Sequence, residues 1–220
     1  MIKEHEKVEI FHGLVVRREQ WRIGDQIFDL TWPADMDVLL DAPETHRRFN
    51  ADGYMPYWAQ PWPSCVLMAE AILSGKPGSG RKAIEIGCGI GLASMTAARM
   101  GWQVTATDYD EDALAFVALN AERNGIKLAG IERLDYRMPL VSPRYDCIMG
   151  ADILYERRNC EPVARWIASG LLDNGYALLS DPGRSAADLF VECAPAAGLC
   201  TELRNVESIA PAGLLHRGRI

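Results

Sequence analysis

The sequence predicts an α/β fold with a largely parallel, doubly wound sheet and helices on both faces. Two observations carry this prediction. From residue 82 onward, short apolar segments alternate with segments of helical periodicity. Single glycines or an Asn-Gly pair stand where several helical segments should end. The 220 residues suffice for one large domain with a modest N-terminal addition.

The N-terminal part has a different pattern. Residues 8–32 predict paired strands around a Gly24-Asp25 turn, an N-terminal β-hairpin extension. Residues 33–63 are rich in proline, aspartate and aromatic residues and predict an irregular connector. We therefore predict that residues 1–63 are strands and a connector packed on the core, and that residues 64–220 are the main domain.

The elements of the main domain follow in alternation. Strands are predicted at residues 83–86, 104–107, 131–134, 147–150, 176–180 and 201–206. Helices are predicted at residues 64–73, 92–100, 112–123, 162–170 and 186–193. Ser64 is the predicted cap of the first helix.

Composition and charge exclude several classes of protein. Hydrophobic residues make up 49% and charged residues 24%, which is ordinary for a globular domain. The formal net charge of −7 argues against nucleic acid as a partner, because phosphate binding needs clustered lysine and arginine. No apolar run approaches the roughly 20 residues that span a bilayer, and no signal-peptide pattern is present, so we predict a cytoplasmic protein with no membrane partner.

Cysteine and histidine form no recognisable metal-binding pattern. The six cysteines are scattered without a C-x-x-C pair, and the four histidines are dispersed. Reduced thiols are the interpretation that this spacing favours, and no metal site is predicted.

A glycine-rich loop is the main functional signal. The sequence Glu-Ile-Gly-Cys-Gly-Ile-Gly at residues 85–91 follows a predicted strand and precedes a predicted helix. Such glycines let a ligand lie against bare backbone, at the edge of the sheet where open α/β folds bind ligands. Asp108 ends the next predicted strand and can accept both hydroxyls of a ribose. A structural turn and a solvated acid are the alternatives.

The spacing of the loop distinguishes between two nucleotides. The dinucleotide fingerprint is G-x-G-x-x-G, whereas this loop has G-x-G-x-G, with Gly91 as its last glycine and Leu92 where the fingerprint has its third. Glu85 would repel a pyrophosphate but would favour the ammonium and sulfonium of S-adenosyl-L-methionine. The sequence therefore favours S-adenosyl-L-methionine as cofactor over a nicotinamide dinucleotide.

Three segments in order carry a family resemblance. They are Tyr-Trp-Ala-Gln-Pro-Trp-Pro-Ser at residues 57–64, the loop at 85–91 with Asp108, and Gly-Ala-Asp-Ile-Leu-Tyr at 150–155. The chain resembles the class I, seven-strand S-adenosylmethionine-dependent methyltransferases, and among them family 16, which includes protein-lysine methyltransferases. Ser-Asp-Pro-Gly-Arg at 180–184 resembles the branch that methylates the electron transfer flavoprotein β-subunit. The resemblance implies a Rossmann-like, mostly parallel sheet of seven strands.

The resemblance also implies a set of site residues. Those expected to line the cofactor are Trp62, Gly87, Cys88, Gly89, Asp108, Tyr136 and Ala151. Many relatives have tryptophan where Tyr136 stands, and a role for Tyr136 in the core or at the rim is an alternative. Trp58 and Trp62 have the alternative of buried anchors in the connector.

The D-x-x-Y motif implies the catalytic residues. Methyl transfer from a sulfonium is an in-line displacement that needs a positioned free amine. By resemblance, Asp152 orients that amine and Tyr155 walls the pocket; a helix cap and a packed aromatic ring are the alternatives. The predicted function is N-methylation of lysine in a protein substrate. A small-molecule N-methyltransferase and a non-catalytic cofactor-binding module stay open.

Overall fold

The computed structural model describes residues 9–139, 144–209 and 215–220. Three antiparallel strands open the described chain: β1 (Ile10–Phe11), β2 (Leu14–Ile23) and β3 (Gln26–Pro33). The last two pair across the Gly24-Asp25 turn, with Ile23 opposite Gln26. The N-terminal hairpin is confirmed; the start of the predicted strand at Val8 lies outside the described residues.

The segment between the hairpin and the main domain contains helices. They are α1 (Asp37–Leu40) and α2 (Pro43–Asp52), followed by a 3-10 turn at Tyr57–Ala59. The prediction of an irregular connector was therefore wrong over α2. Its proline stands at the first helical position, where no N–H is needed, and Gly53 ends it in the left-handed region (φ 77°).

Helices and strands mostly alternate in the remainder. In chain order they are α3 (Pro63–Ser74), β4 (Lys82–Ile86), α4 (Leu92–Arg99), β5 (Gln103–Asp108), α5 (Glu111–Arg123), β6 (Gly130–Arg133), β7 (Tyr145–Ala151), α6 (Cys160–Gly170), β8 (Leu171–Ser180), α7 (Ser185–Cys193), β9 (Asn205–Ile209) and β10 (Leu215–Arg219). Ser64 lies inside the first turn of α3, and Trp62 is its N-cap.

The central sheet has five parallel strands in the order β6-β5-β4-β7-β8. Met68 of α3 and Ala97 of α4 pack on one face, whereas Val163 of α6 and Phe190 of α7 pack on the other. The chain runs outward in both directions from β4, so the strand order reverses between β4 and β7. A crevice forms at the carboxyl ends of strands at such a reversal.

The prediction of seven sheet strands is wrong for the described residues. β9 and β10 pair only with each other, and a single bridge between Asp181 and Arg219 joins them to the sheet. β8 has ended at Ser180, and Pro182 has no N–H with which to continue a ladder. The predicted strand at 201–206 overlaps β9 only at residues 205 and 206.

Within the described ranges, no helix is both long and apolar enough to cross a bilayer. The cytoplasmic location stays a prediction.

Candidate functional site

A cavity of about 420 Å³ lies at the carboxyl ends of the sheet strands. Each of the five parallel strands delivers at least one lining residue, directly or from the segment that follows it. The predicted site residues that line it are Trp62, Glu85, Gly87, Cys88, Gly89, Asp108, Tyr136, Ala151, Asp152 and Tyr155. Its volume falls within the usual range for small-molecule sites, about 300–1,000 Å³.

The glycine loop presents bare backbone to this cavity. Gly87 (φ 66°) and Gly89 (φ 53°) both occupy the left-handed region, where a side chain is strained. A Cβ on Gly87 would lie 2.8 Å from Ile153 Cγ2. Between them, Cys88 is buried, and its N–H donates to the carbonyl of Thr107 at 2.9 Å.

Gly91 is the predicted cofactor residue that the structure does not bring to the cavity wall. It is the N-cap of α4 at φ 87°, and a Cβ there would lie 3.1 Å from the methyl groups of Val117. Its contact is with α5, so this glycine allows close packing of α4 and α5.

Asp108 accepts a backbone hydrogen bond at each carboxylate oxygen. Gly89 N donates to Oδ2 at 3.0 Å, and Asp110 N donates to Oδ1 at 3.0 Å. Burial raises the pKa of Asp108 to about 6, although both hydrogen bonds lower it. The carboxylate thus holds the glycine loop in place and still faces the cavity.

Glu85 is buried in the cavity wall beneath the start of α4. One of its oxygens accepts from the backbone N–H of Ser94 at 2.8 Å and also from the Ser94 hydroxyl. Burial raises its pKa to about 8. Glu85 therefore caps a helix whose own N-cap residue, Gly91, has no side chain. Glu85 and Ser94 are nine residues apart, so no local capping motif in the sequence indicates this cap.

The two tryptophans of the first motif have different surroundings. Trp58 is buried against Phe116, with ring centroids 5.4 Å apart, so it anchors the connector as well as lining the cavity. Trp62 is half-buried, and its Nε1 donates to the carbonyl of Tyr57 at 2.6 Å. Tyr57 was not predicted as a site residue, yet it also lines the cavity.

Aromatic rings form one side of the cavity near the D-x-x-Y motif. The Tyr57 ring meets Tyr155 edge-on with centroids 5.3 Å apart, and meets Trp62 edge-on at 6.1 Å. Tyr136 and Tyr155 both line this side and lie near enough to influence each other's pKa, and burial raises the pKa of both. The structure thus brings Tyr136 and Tyr155, 19 positions apart in the sequence, to the same cavity.

Asp152 is tied to two other segments. Its Oδ1 lies 2.5 Å from Nη1 of Arg184, and its Oδ2 accepts from the backbone N–H of Ser64 at 3.2 Å. The helix that Asp152 caps is therefore α3, far earlier in the chain. Burial raises its pKa above the usual value, and the bonds from Arg184 and Ser64 oppose that rise.

A second polar cluster holds α2 beside the cavity. Arg48 Nη1 lies 2.9 Å from Asp110 Oδ2, and the Tyr54 hydroxyl donates to the same oxygen. The guanidinium of Arg48 stacks on the Tyr54 ring, 3.3 Å from its centroid. Sequence analysis missed these residues, because the partners of Asp110 lie 62 and 56 positions away and share no motif with it.

A comparison with known families decides the assignment of the fold. The profile of a family described as "Methyltransferase domain" matches residues 49–215, which include the described cavity lining. The chain belongs to this methyltransferase-domain family.

Curated relatives of this methyltransferase domain include protein-lysine methyltransferases. An electron transfer flavoprotein beta subunit lysine methyltransferase from Danio rerio is 29% identical over 59% of the chain and 51% of its own length. Protein N-lysine methyltransferase METTL21A from Danio rerio is 35% identical over 43% of the chain and 46% of its length. The chain spans about half the length of the curated relatives it matches.

Solved structures agree on the Rossmann-like fold. The T. thermophilus 16S rRNA N2 G1207 methyltransferase, in a complex with AdoMet and guanosine, superimposes with a TM-score of 0.61. The match covers 93% of this methyltransferase-domain chain and 50% of that chain, at 16% identity. At that identity the likeness concerns the fold alone.

Proposed function

We propose that the protein is an S-adenosylmethionine-dependent N-methyltransferase that methylates lysine in a protein substrate. One observation carries the proposal: the glycine loop with Asp108 and the D-x-x-Y residues Asp152 and Tyr155 line a single cavity. In this proposal, the glycine loop and Asp108 form the cofactor end of the cavity, and Asp152 and Tyr155 form its acceptor end. The names of the two Danio rerio relatives support lysine as the acceptor.

The residues of the cofactor end fit a nucleoside that carries positive charge and no phosphate. Gly87 and Gly89 line the cavity without side chains, and Asp108 offers acceptor oxygens suited to ribose hydroxyls. Glu85 adds a second acid, and a bound cation would lower its pKa from about 8 and so favour its ionised form. When bound, S-adenosylmethionine supplies a methyl group on a positively charged sulfur.

The acceptor end fits an amine. A lysine amine has an ordinary pKa near 10.4 and must lose its proton before it can attack. An aromatic wall lowers that pKa, because it displaces part of the water that stabilises the ammonium form. Tyr57 and Tyr155 provide that wall, and Asp152 can accept an N–H of the neutral amine and so fix its direction.

Labelling with methyl-tritiated S-adenosylmethionine tests the proposal. The first purified acceptor is the electron transfer flavoprotein β-subunit, chosen for the Danio rerio relative and for Ser-Asp-Pro-Gly-Arg at 180–184; a cell lysate follows. We expect a labelled protein whose hydrolysate contains methyllysine. Label in a small metabolite would favour a small-molecule N-methyltransferase, and no label with intact cofactor binding would favour a non-catalytic module.

A further inference from the structure

Arg184, the last residue of the Ser-Asp-Pro-Gly-Arg motif, to which the sequence assigned no role at the site, joins two buried acids at the cavity wall. Its Nη1 lies 2.5 Å from Asp152 Oδ1 and 3.0 Å from Asp181 Oδ2. The two acidic side chains are 8% and 5% exposed, whereas the Arg184 side chain is 31% exposed and lines the cavity. One guanidinium therefore serves two carboxylates that are nearly out of water.

The arginine is itself held in place. Asp181 Oδ1 accepts from the backbone N–H of Gly183 at 2.7 Å and from that of Arg184 at 2.6 Å. Its other oxygen contacts the Arg184 guanidinium. Both the backbone and the side chain of Arg184 are thus fixed by the acid three positions earlier, and the guanidinium is directed at Asp152.

Two segments supply the charged and polar groups beside Asp152 that bear on its ionisation. The segment after β8 provides Arg184 and Asp181. From α3 come the backbone N–H of Ser64 and the thiol of Cys65, which lies within electrostatic range of both Asp152 and Glu85. The counter-charge for Asp152 in this set is Arg184, and without it two neighbouring carboxylates would be buried with no positive partner.

We propose that Arg184 is a positioning residue that keeps Asp152 ionised and directed, and that offsets its charge so that the acceptor amine is not held as an unreactive ammonium. This inference rests on the proposed function. An uncompensated pair of carboxylates attracts an ammonium strongly, and an ammonium has no lone pair for attack. With Arg184 in place, Asp152 accepts a hydrogen bond from the amine without a full ion pair.

The first test needs no cofactor or acceptor. Arg184→Gln, Arg184→Lys and a control, Arg217→Gln, are labelled with 13C at the aspartate carboxyls. Arg217 is exposed, pairs with Glu207 and does not line the cavity. The Asp152 signal is assigned by its loss in Asp152→Asn. Its titration midpoint should rise by about 1–2 pH units in Arg184→Gln, the size of effect a unit charge has at contact distance. Arg184→Lys and Arg217→Gln should keep the wild-type midpoint.

The second test measures kcat against pH, with saturating S-adenosylmethionine and the electron transfer flavoprotein β-subunit, or the protein that becomes labelled in the lysate. The pH midpoint of the acidic limb of the kcat profile should rise by about 1–2 units in Arg184→Gln. It should fall in Asp152→Asn, because the two variants remove opposite charges. Arg184→Lys should keep the wild-type profile.

Two results would overturn the inference: an unchanged Asp152 midpoint in a folded Arg184→Gln protein, or a uniform loss of kcat with no movement of the profile. A wild-type protein that methylates no acceptor would instead remove the proposed function. The carboxyl titration would then still test whether Arg184 controls the ionisation of Asp152.

Discussion

Asp108 lies at the end of β5 with a backbone N–H on each of its oxygens, so its substitution affects the glycine loop as well as any bound ligand. Asp108→Asn keeps one acceptor oxygen and removes the charge. We expect S-adenosylmethionine affinity to fall by about 10- to 150-fold, since a hydrogen bond to a charged group contributes roughly 1.5–3 kcal/mol. Calorimetric titration measures it, and wild-type affinity in a folded variant would remove Asp108 from the cofactor site.

Gly89 offers a second residue-scale prediction. Gly89→Val puts a branched side chain on backbone at φ 53° and fills space beside the cavity, so cofactor binding should be lost. Gly125→Val is the matched control, because Gly125 has φ 61° with nothing within 4 Å of a built Cβ and does not line the cavity. Both variants should lose stability, but Gly125→Val should bind S-adenosylmethionine normally. Equal binding by the two variants would make the loop a turn only.

Several elements are held together by polar side chains that reach across the fold. Asn120 of α5 is fully buried, accepts from Thr31 N at 2.8 Å, and donates to Thr31 O and Ile90 O at 3.0 Å each. It thereby links α5, the N-terminal hairpin and the end of the glycine loop. The division of the chain after residue 63 stays a prediction. Strand β3 of the N-terminal part is bound to the main domain through Asn120.

Asn120→Ala should therefore destabilise the whole protein. Loss of the three hydrogen bonds leaves buried backbone groups without partners. We therefore expect the unfolding free energy to fall by about 2–4 kcal/mol. Asn50→Ala on the exposed surface of α2 is the control, with an expected change within about 0.5 kcal/mol. Urea denaturation followed by circular dichroism measures both. A similar small change in the two variants would show that Asn120 does not link these elements.

At the scale of the whole molecule, the buried acids make stability depend on pH. The folded pKa of Glu85 is about 8 and that of Asp108 about 6, each above the ordinary value of the unfolded chain. The folded state therefore binds more protons than the unfolded state between about pH 4 and 8, and its stability should fall as pH rises through that window.

Urea unfolding at a series of pH values measures this dependence. Wild type should lose at least about 1 kcal/mol between pH 5 and 8, since one pKa unit corresponds to about 1.36 kcal/mol. Glu85→Gln should flatten the curve, because glutamine resembles the protonated acid and can still accept from Ser94. S-adenosylmethionine, a cation at this site, should bind more tightly as pH rises. Stability that increased from pH 5 to 8 would contradict the assignment.

Local signals in the sequence were sufficient for the alternating strands and helices and for the glycine loop with Asp108. Apolar periodicity, helix-ending glycines and strand-end acids each involve only a few neighbouring residues. The apolar periodicity also indicates which side chains face the core. The same locality explains the errors. The sequence places Pro43 in an irregular connector although it begins α2, and it adds a last strand to a sheet that β9 and β10 do not join.

The partners of the site residues were beyond the reach of the sequence. Glu85 with Ser94, Asp152 with Ser64 and Arg184, and Asp110 with Arg48 and Tyr54 are contacts between segments that meet only when the sheet is complete. Parallel strands deliver their carboxyl ends to one edge, so residues dozens of positions apart become neighbours there. Burial at that edge then sets the charge state of the acids, and burial is a property of the packed molecule that no single stretch of chain contains.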